Sequence, residues 1–110
     1  MSYDLHITAT AERDLISAAD CIEFVLLNPR AAEELLEEAE KEIAALAEFP
    51  ERYPPVDDPV LKNWGIRLLP VKNYMVFYVV SEEQRRVHIV RFLYGKRNWL
   101  PILRRSPPMT

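Results

Sequence analysis

At the start of the chain, apolar residues recur at every second position. Residues 3–8, YDLHIT, alternate between apolar and polar side chains, with Tyr3, Leu5 and Ile7 on one side. Successive side chains of a β-strand point to opposite faces of a sheet, so this pattern is typical of a half-buried strand. His6 falls on the polar side and is expected to be exposed.

A helical period follows. Between residues 15 and 26, apolar residues recur every three or four positions, which predicts an amphipathic helix with Thr10 as its cap. Asn28 and Pro29 should end this helix and begin the next, because Asn is a good N-cap and Pro suits the first helical position. The second helix is predicted from Pro29 to about Glu48. Two such helices with almost no connection form a helical hairpin.

The second half of the chain contains three apolar runs rich in β-branched and aromatic residues: Trp64–Val71, Tyr74–Val80 and Val87–Tyr94. A proline-rich loop, residues 49–59, leads into them. The gaps at residues 72–73 and 81–84 have hairpin length, so the runs predict an antiparallel meander.

These elements predict an α+β fold: an N-terminal strand, a two-helix hairpin and a three-stranded antiparallel meander. The helices should pack on one face of a small twisted sheet, with the first strand beside a meander strand and the other face more open. We predict a single domain over residues 1–104 and a disordered tail over residues 105–110.

Composition narrows the class of protein. A chain of 110 residues suits one compact domain. The single cysteine, Cys21, excludes an internal disulfide and leaves no Cys pair for a structural zinc site; we expect it in the core, on the apolar face of the first helix. The glutamates of the second helix have no histidine nearby, so they predict a solvated face. We therefore expect no metal, no cofactor and no small-molecule substrate.

Two further features concern location and charge. The sequence shows no apolar leader and no apolar run long enough to cross a bilayer, which predicts a cytoplasmic protein without a membrane partner. The net charge of −3 divides into −11 over residues 1–60 and +8 over residues 61–110. Such an asymmetry indicates an acidic or polyanionic partner for the basic half, unless the two halves simply balance in three dimensions.

Basic and aromatic residues collect at the end of the last predicted strand, in the stretch RFLYGKRNW, residues 91–99. Antiparallel pairing can bring cations of the preceding hairpin close to it. The candidate binding residues are Arg67, Lys72, Arg91, Tyr94, Lys96, Arg97 and Trp99. Such a surface can bind phosphate and stack on bases, or it can bind an acidic peptide.

A plainer alternative stays open for the same residues. Trp99 can pack under the tail, Arg91 can pair with a helix glutamate, and the other cations can be solvated. The sequence also does not decide which face of the strand at residues 87–94 meets the helices. A structural role is favoured for His88, which lies among apolar neighbours near the start of that strand.

The order of elements and three stretches of sequence resemble the RelE/ParE superfamily of bacterial type II toxin–antitoxin toxins, the plasmid stabilisation proteins. The matching stretches are NPRAAEELLEEAEKEIAALAEFPERYP, GIRLLPVKNYMVFYVV and VHIVRFLYGKRNW. The resemblance covers roughly residues 3–100. It implies a small cytoplasmic toxin that arrests bacterial growth and that a cognate antitoxin neutralises.

The superfamily implies two different mechanisms. RelE-like members are metal-independent, ribosome-dependent endoribonucleases that cut mRNA by acid–base and electrostatic catalysis. ParE-like members resemble them in fold but inhibit DNA gyrase by binding. The sequence therefore does not decide whether this chain is an enzyme.

The nuclease residues of the RelE-like branch are only partly present. Where that branch has a phosphate-binding arginine, after Tyr74, this chain has Met75, whereas the arginine after the last strand matches Arg97. The C-terminal tyrosine position falls near Leu103. Tyr94 can match a subgroup that ends in a His-Tyr pair, but the histidine position there is Leu93.

The resemblance therefore favours a ParE-like toxin. If the chain is a nuclease instead, its candidate catalytic residues are Arg67, Tyr94 and Arg97. The third alternative is an inactive module that only binds antitoxin. The partners implied are a cognate antitoxin and either DNA gyrase or the ribosome with its mRNA.

Overall fold

The structure is a computed structural model that describes residues 2–105. Of the tail expected over residues 105–110, residues 106–110 lie outside the described residues, and the single domain over residues 1–104 stays a prediction. The strands are β1 (Asp4–Ile7), β2 (Arg67–Val71), β3 (Tyr74–Ser81) and β4 (Arg86–Tyr94). The helices are α1 (Ala9–Asp20), α2 (Pro29–Ala45), α3 (Pro59–Asn63) and α4 (Trp99–Arg104), with a π-helical turn, Cys21–Val25, after α1.

The predicted α+β architecture is confirmed. The four strands form one sheet in the order β1-β4-β3-β2. β2, β3 and β4 make the antiparallel meander, and β1 lies parallel to β4 at the edge. The first strand therefore lies beside a meander strand, as its sequence pattern indicated, but Leu5 and Ile7 remain exposed at the open edge.

The start of α1 differs from the prediction. Thr8, not Thr10, is the N-cap: its backbone is extended, and its Oγ1 accepts a hydrogen bond of 3.1 Å from the Ala11 amide. Thr8 can serve because β1 ends at Ile7, so the helix begins directly after the strand. Thr10 lies inside the first turn.

The end of the first helical segment also departs from a regular period. At the π-helical turn the Leu26 amide donates to the Cys21 carbonyl, five residues back, at 3.0 Å. The wider turn breaks the 3.6-residue period on which the predicted apolar stripe depended. Val25 and Leu26 after this shift are exposed, and Cys21 at its start is exposed as well, which makes its expected core position wrong.

The Asn28-Pro29 prediction is confirmed. The Asn28 side chain accepts from the Ala31 amide at 3.1 Å, and Pro29 occupies the first turn of α2. This helix ends at Ala45 instead of about Glu48. The buried residues of α2 and the turn after it are Ala32, Leu35, Ala39, Ile43 and Leu46.

The second face of the sheet is covered, so the expectation that it would be more open is wrong. α3 and α4 lie there, and both are short helices that a periodicity argument does not detect. β2 begins at Arg67 because Trp64 and Gly65 close α3, with Gly65 at a φ of +76°. The buried residues of this second core are Val56, Leu61, Ile66, Phe77, Val79, Val90, Leu93 and Leu103.

A bulge in β4 decides which residues face the helical hairpin. Phe77 pairs with Arg91 and Tyr78 with Ile89, so Val90 is an extra residue between them. The alternation shifts at this point. Val87, Ile89 and Phe92 therefore pack with the hairpin, whereas Val90 and Leu93 join the second core.

An ion pair holds α4 in place, and its strength should depend on pH. Arg104 bonds to the buried carboxylate of Asp58, which also caps α3 by accepting from the Leu61 amide. Arg104 lowers the pKa of Asp58 below its ordinary value. A lowered folded-state pKa means that this pair stabilises the protein above the ordinary carboxyl pKa, about 3.9, and that the contribution is lost as the pH falls through the folded value.

We therefore expect Arg104→Gln to lower the melting temperature at pH 7, with the difference from wild type shrinking as the pH drops below about 4. Thermal melts across pH 7 to pH 3 check this. Arg105→Gln, a neighbouring exposed arginine at the end of α4, is the control. A deficit that stays constant over this range would show that the Asp58 charge is not involved.

The hydroxyl of Tyr78 is a further stabilising contact. This side chain is fully buried and donates to the Pro50 carbonyl at 2.7 Å, and burial raises the pKa of its phenol to about 12. Tyr78→Phe leaves that carbonyl without its partner, so we expect a loss of about 1–2 kcal/mol in the free energy of unfolding. Urea denaturation measures it, with Tyr94→Phe as the exposed control. Equal stability of the two variants would contradict the expectation.

Candidate functional site

The glycine after β4 fixes the geometry of one end of the sheet. The Gly95 amide donates to the Asn73 carbonyl at 2.8 Å, so the β2–β3 turn lies directly beside the residues that follow β4. A Cβ at residue 95 would lie 3.0 Å from that carbonyl oxygen and 3.1 Å from the Met75 methyl carbon. The close approach therefore favours glycine, and it brings the turn that contains Lys72 next to the segment that contains Lys96.

Three aromatic side chains lie side by side on the sheet next to this end. Tyr74 and Tyr94 face each other across β3 and β4 with ring centroids 5.5 Å apart, and Tyr74 stacks on Phe92 at 5.1 Å. Burial raises the pKa of Tyr74. Tyr94 is 42% exposed, so its ring is accessible for stacking.

A groove of about 420 Å³ runs between α1 and this aromatic row. Ser17 and Asp14 of α1 form one wall, and Tyr74, Tyr94 and Arg97 form the other. The Arg97 amide donates to the Tyr94 carbonyl at 3.0 Å, which orders the loop after β4 at the mouth of the groove. The groove therefore combines an exposed tyrosine with an exposed arginine.

Arg91 lies in the same groove but is bound by a carboxylate. Its Nε and Nη2 donate to Asp14 at 2.7 and 3.0 Å, and Asp14 also accepts from the Phe92 amide at 3.1 Å. Both side chains are 15% exposed. This two-bond geometry is the strong form of the ion pair, so Arg91 joins α1 to β4 instead of presenting a free charge.

Arg67 does not join this cluster. Its guanidinium donates to the Tyr53 carbonyl and lies 3.6 Å from a Glu51 oxygen. Arg67 starts β2 and Val71 ends it, beside Tyr74, so the arginine is about 13 Å along the strand from Val71, where the Lys72 turn begins. Arg67 belongs to the same hairpin as Lys72 but lies far from it in the structure.

Trp99 lies on the other face of the sheet. It begins α4, and its ring lies 5.1 Å from that of Phe77, centroid to centroid, in the second core. It also lines a separate apolar groove with Tyr53 and Leu68. Of the candidate residues, the structure thus brings together Lys72, Tyr94, Lys96 and Arg97, with Arg91 beneath them.

This end of the sheet suits binding of an anion or an acidic segment. Lys72, Lys96 and Arg97 are exposed there, and the ring of Tyr94 provides a flat contact. Neither of the two imidazoles lies here, because His6 is in β1 and His88 is near the opposite end of β4. Across residues 2–105 the structure shows no group of three or more His, Cys, Asp or Glu side chains placed to hold a metal ion.

Comparison with known families decides the class of protein. Residues 5–99 match the family model described as the ParE toxin of the type II toxin–antitoxin system, parDE. The chain belongs to the ParE toxin family. The resemblance to RelE/ParE toxins is thereby confirmed, and the protein is a toxin of the type II toxin–antitoxin class.

Solved structures share the fold of this ParE family member. A chromosomal ParDE toxin–antitoxin system from P. aeruginosa has a TM-score of 0.70 at 19% identity, over 86% of this chain and 98% of the other. The toxin–antitoxin complex RelBE2 from Mycobacterium tuberculosis has a TM-score of 0.59 at 24% identity, over 86% and 99%. No curated protein sequence matches significantly.

Met75 of this ParE family member has a packing role. It occupies the position where the nuclease branch has an arginine, and its side chain packs against the second core beside Gly95. Its thioether carries no charge and can contribute nothing to phosphate stabilisation.

The sequence did not predict the apolar surface at the tip of the helical hairpin. Phe24, Val25, Leu26 and Leu27 are 66%, 71%, 65% and 79% exposed. Leu27 has a φ of +54°, which turns the chain sharply from the π-helical turn into the Asn28 cap. Four consecutive exposed apolar residues indicate a protein-interaction surface. The apolar run FVLL, residues 24–27, could have indicated this surface, but Val25 and Leu26 were predicted to lie on the buried face of the first helix.

No helix within residues 2–105 is both long and apolar enough to span a bilayer.

Proposed function

We propose that this chain arrests bacterial growth in the cytoplasm by binding DNA gyrase, as expected of a ParE-like toxin, and carries out no chemistry of its own. The observation that carries the proposal is the match to the ParE family model over residues 5–99. The packed Met75 beside the exposed cations adds to it, because the surface keeps charge for binding and lacks the nuclease arginine.

The chemistry of the site supports binding over cleavage. Metal-independent RNA cleavage needs a group that takes the proton of the 2′-hydroxyl and cations that stabilise the charge on phosphate. Lys96 and Arg97 can supply charge, but no imidazole lies in this part of the sheet. We therefore assign Lys72, Tyr94, Lys96 and Arg97 to target contact.

A supercoiling assay with purified gyrase tests the proposal. We expect the chain to inhibit supercoiling, and Arg97→Ala to need about tenfold more protein for the same inhibition, the usual size of one good interface contact. Arg30→Ala is the matched control, because Arg30 is an exposed arginine on α2, away from this surface. Growth arrest without any effect on gyrase would exclude gyrase as the target.

A ribosome-dependent endoribonuclease is the second candidate. The observation that favours it is the placement of exposed Tyr94 beside Arg97 in one groove, which suits stacking on a base next to a phosphate. Primer extension on mRNA paused in translating ribosomes separates the two functions. Cleavage that Arg97→Ala abolishes would establish a nuclease, with Tyr94 and Arg97 in the site and Arg67 outside it.

We further propose that a cognate antitoxin neutralises the chain by covering two surfaces. An acidic segment would bind the exposed cations, and an apolar segment would cover the hairpin tip, residues 24–27. Both similar structures are described as toxin–antitoxin systems, which supports such a partner. A chain that binds antitoxin but causes no growth arrest would be the inactive module.

A further inference from the structure

The only two histidines of the chain lie side by side in the fold. His6 is in β1 and His88 is in β4, and they occupy directly opposed positions of the parallel pair. Their ring centroids are 5.3 Å apart, with the planes at 65°. Eighty-two positions separate them in sequence, so the fold alone produces this pairing.

The two imidazoles open onto a cavity that is distinct from the groove at the other end of the sheet. This cavity has a volume of about 560 Å³ and lies between Trp64 and the β3–β4 turn. Glu82 and Glu83 line the cavity from that turn, and Glu82 also accepts from the Tyr3 hydroxyl at 2.8 Å. Carboxylates around a concave surface raise the local concentration of cations.

We propose that His6 and His88 bind one divalent transition-metal ion of the Zn²⁺, Ni²⁺ or Cu²⁺ class. Imidazole nitrogen is a preferred ligand of these ions. With metal–nitrogen bonds of about 2.0–2.1 Å, two imidazoles on one tetrahedral ion have ring centroids about 5 Å apart, close to the separation in this pair. The ring torsions are soft, so each ring can turn one nitrogen towards a shared point.

Gln84 can set which nitrogen of His88 is available. Its Oε1 lies 3.3 Å from His88 Nε2, and the roles of the two atoms depend on the imidazole tautomer. In the tautomer whose Nε2 donates to this oxygen, the lone pair is on Nδ1. A second hydrogen bond that sets the tautomer is the usual support of a metal-binding histidine.

The site offers two protein ligands. No cluster of three or more metal-binding side chains is present among residues 2–105, so water fills the remaining positions and the ion exchanges readily. The ion connects the edge strand β1 to β4, because it binds only when the two strands are paired. Because the ion binds only the folded chain, the stability rises with the logarithm of the metal concentration once that concentration exceeds the dissociation constant.

Calorimetric titration of the full chain with Zn²⁺ tests the proposal. We expect one ion per chain, and affinity lowered about tenfold or more by either His6→Gln or His88→Gln. Cys21→Ser is the matched control, because it removes the only thiol and should leave binding unchanged. Mg²⁺ should give no binding, since it prefers oxygen ligands.

Thermal melts with Zn²⁺ give a second test, which does not depend on the stability of His88→Gln. His6 is exposed, so His6→Gln should fold, and Zn²⁺ should raise the melting temperature of the wild type but not of this variant. Absence of stoichiometric Zn²⁺ binding would overturn the proposal. So would binding that survives loss of His6, or binding that Cys21→Ser abolishes.

Discussion

Phe24→Ser combined with Leu27→Ser is expected to weaken antitoxin binding by about a hundredfold or more. Large apolar anchors at the centre of an interface each contribute roughly 2 kcal/mol or more, and a hundredfold corresponds to about 2.7 kcal/mol. Both side chains are mostly exposed, so serine removes apolar contact area without opening a cavity in the folded chain. Calorimetry with the purified cognate antitoxin measures the change.

The control for this prediction is an exposed apolar residue on the other side of the sheet. Val60→Ser changes α3 and leaves the hairpin tip intact, so antitoxin affinity should stay at the wild-type value. The tip variant should still arrest growth, because the proposed target surface is at the Lys96–Arg97 end. Unchanged affinity of the double variant would show that the antitoxin does not use the tip.

Asp14→Ala is expected to destabilise the fold by about 3 kcal/mol, a large share of the 5–15 kcal/mol typical of a small domain. The substitution leaves the partly buried guanidinium of Arg91 without its carboxylate and removes the acceptor of the Phe92 amide. An unpaired charge in such a position costs far more than a broken surface pair. Urea denaturation, with the slope compared between variants, measures the loss.

Two further variants distinguish the cause of that loss. Asp20→Ala removes an exposed carboxylate from the same helix and should change stability by less than about 0.5 kcal/mol. Asp14→Leu combined with Arg91→Met removes both charges and should recover much of the stability, because no charge is then left unpaired. A double variant as unstable as Asp14→Ala would show that the charge of Arg91 is not the reason.

The element order could be predicted from sequence because each main element carries its own local signal. Alternation marked β1, the Asn28-Pro29 pair marked the hairpin, and apolar runs marked the meander. The π-helical turn at Cys21–Val25 and the bulge at Val90 could not be predicted, since both are shifts of backbone bonding within segments of ordinary composition. The two short helices, α3 and α4, contain too few residues to show a period.

The candidate site was predictable to the extent that its residues follow one another in the chain. Tyr94, Lys96 and Arg97 are near neighbours in sequence, and Gly95 holds the Lys72 turn against them. Pairing of Arg91 with a helix glutamate was one alternative from the sequence, but its partner is Asp14, 77 positions away, which no local pattern identifies. Trp99 lies on the opposite face of the sheet because it is the first residue of α4, which packs on that face.

The parallel pairing of β1 with β4 has a consequence for synthesis. The strand made first can pair only with the strand made last, since Asp4 lies opposite Arg86 and Ile7 opposite Ile89. Contacts between such distant segments form late, because the whole intervening loop must close before they are made. A nascent chain that stops before residue 86 leaves β1 without a partner and lacks the cations that follow β4. Prematurely ended translation products of this gene are therefore expected to be harmless to the cell that makes them.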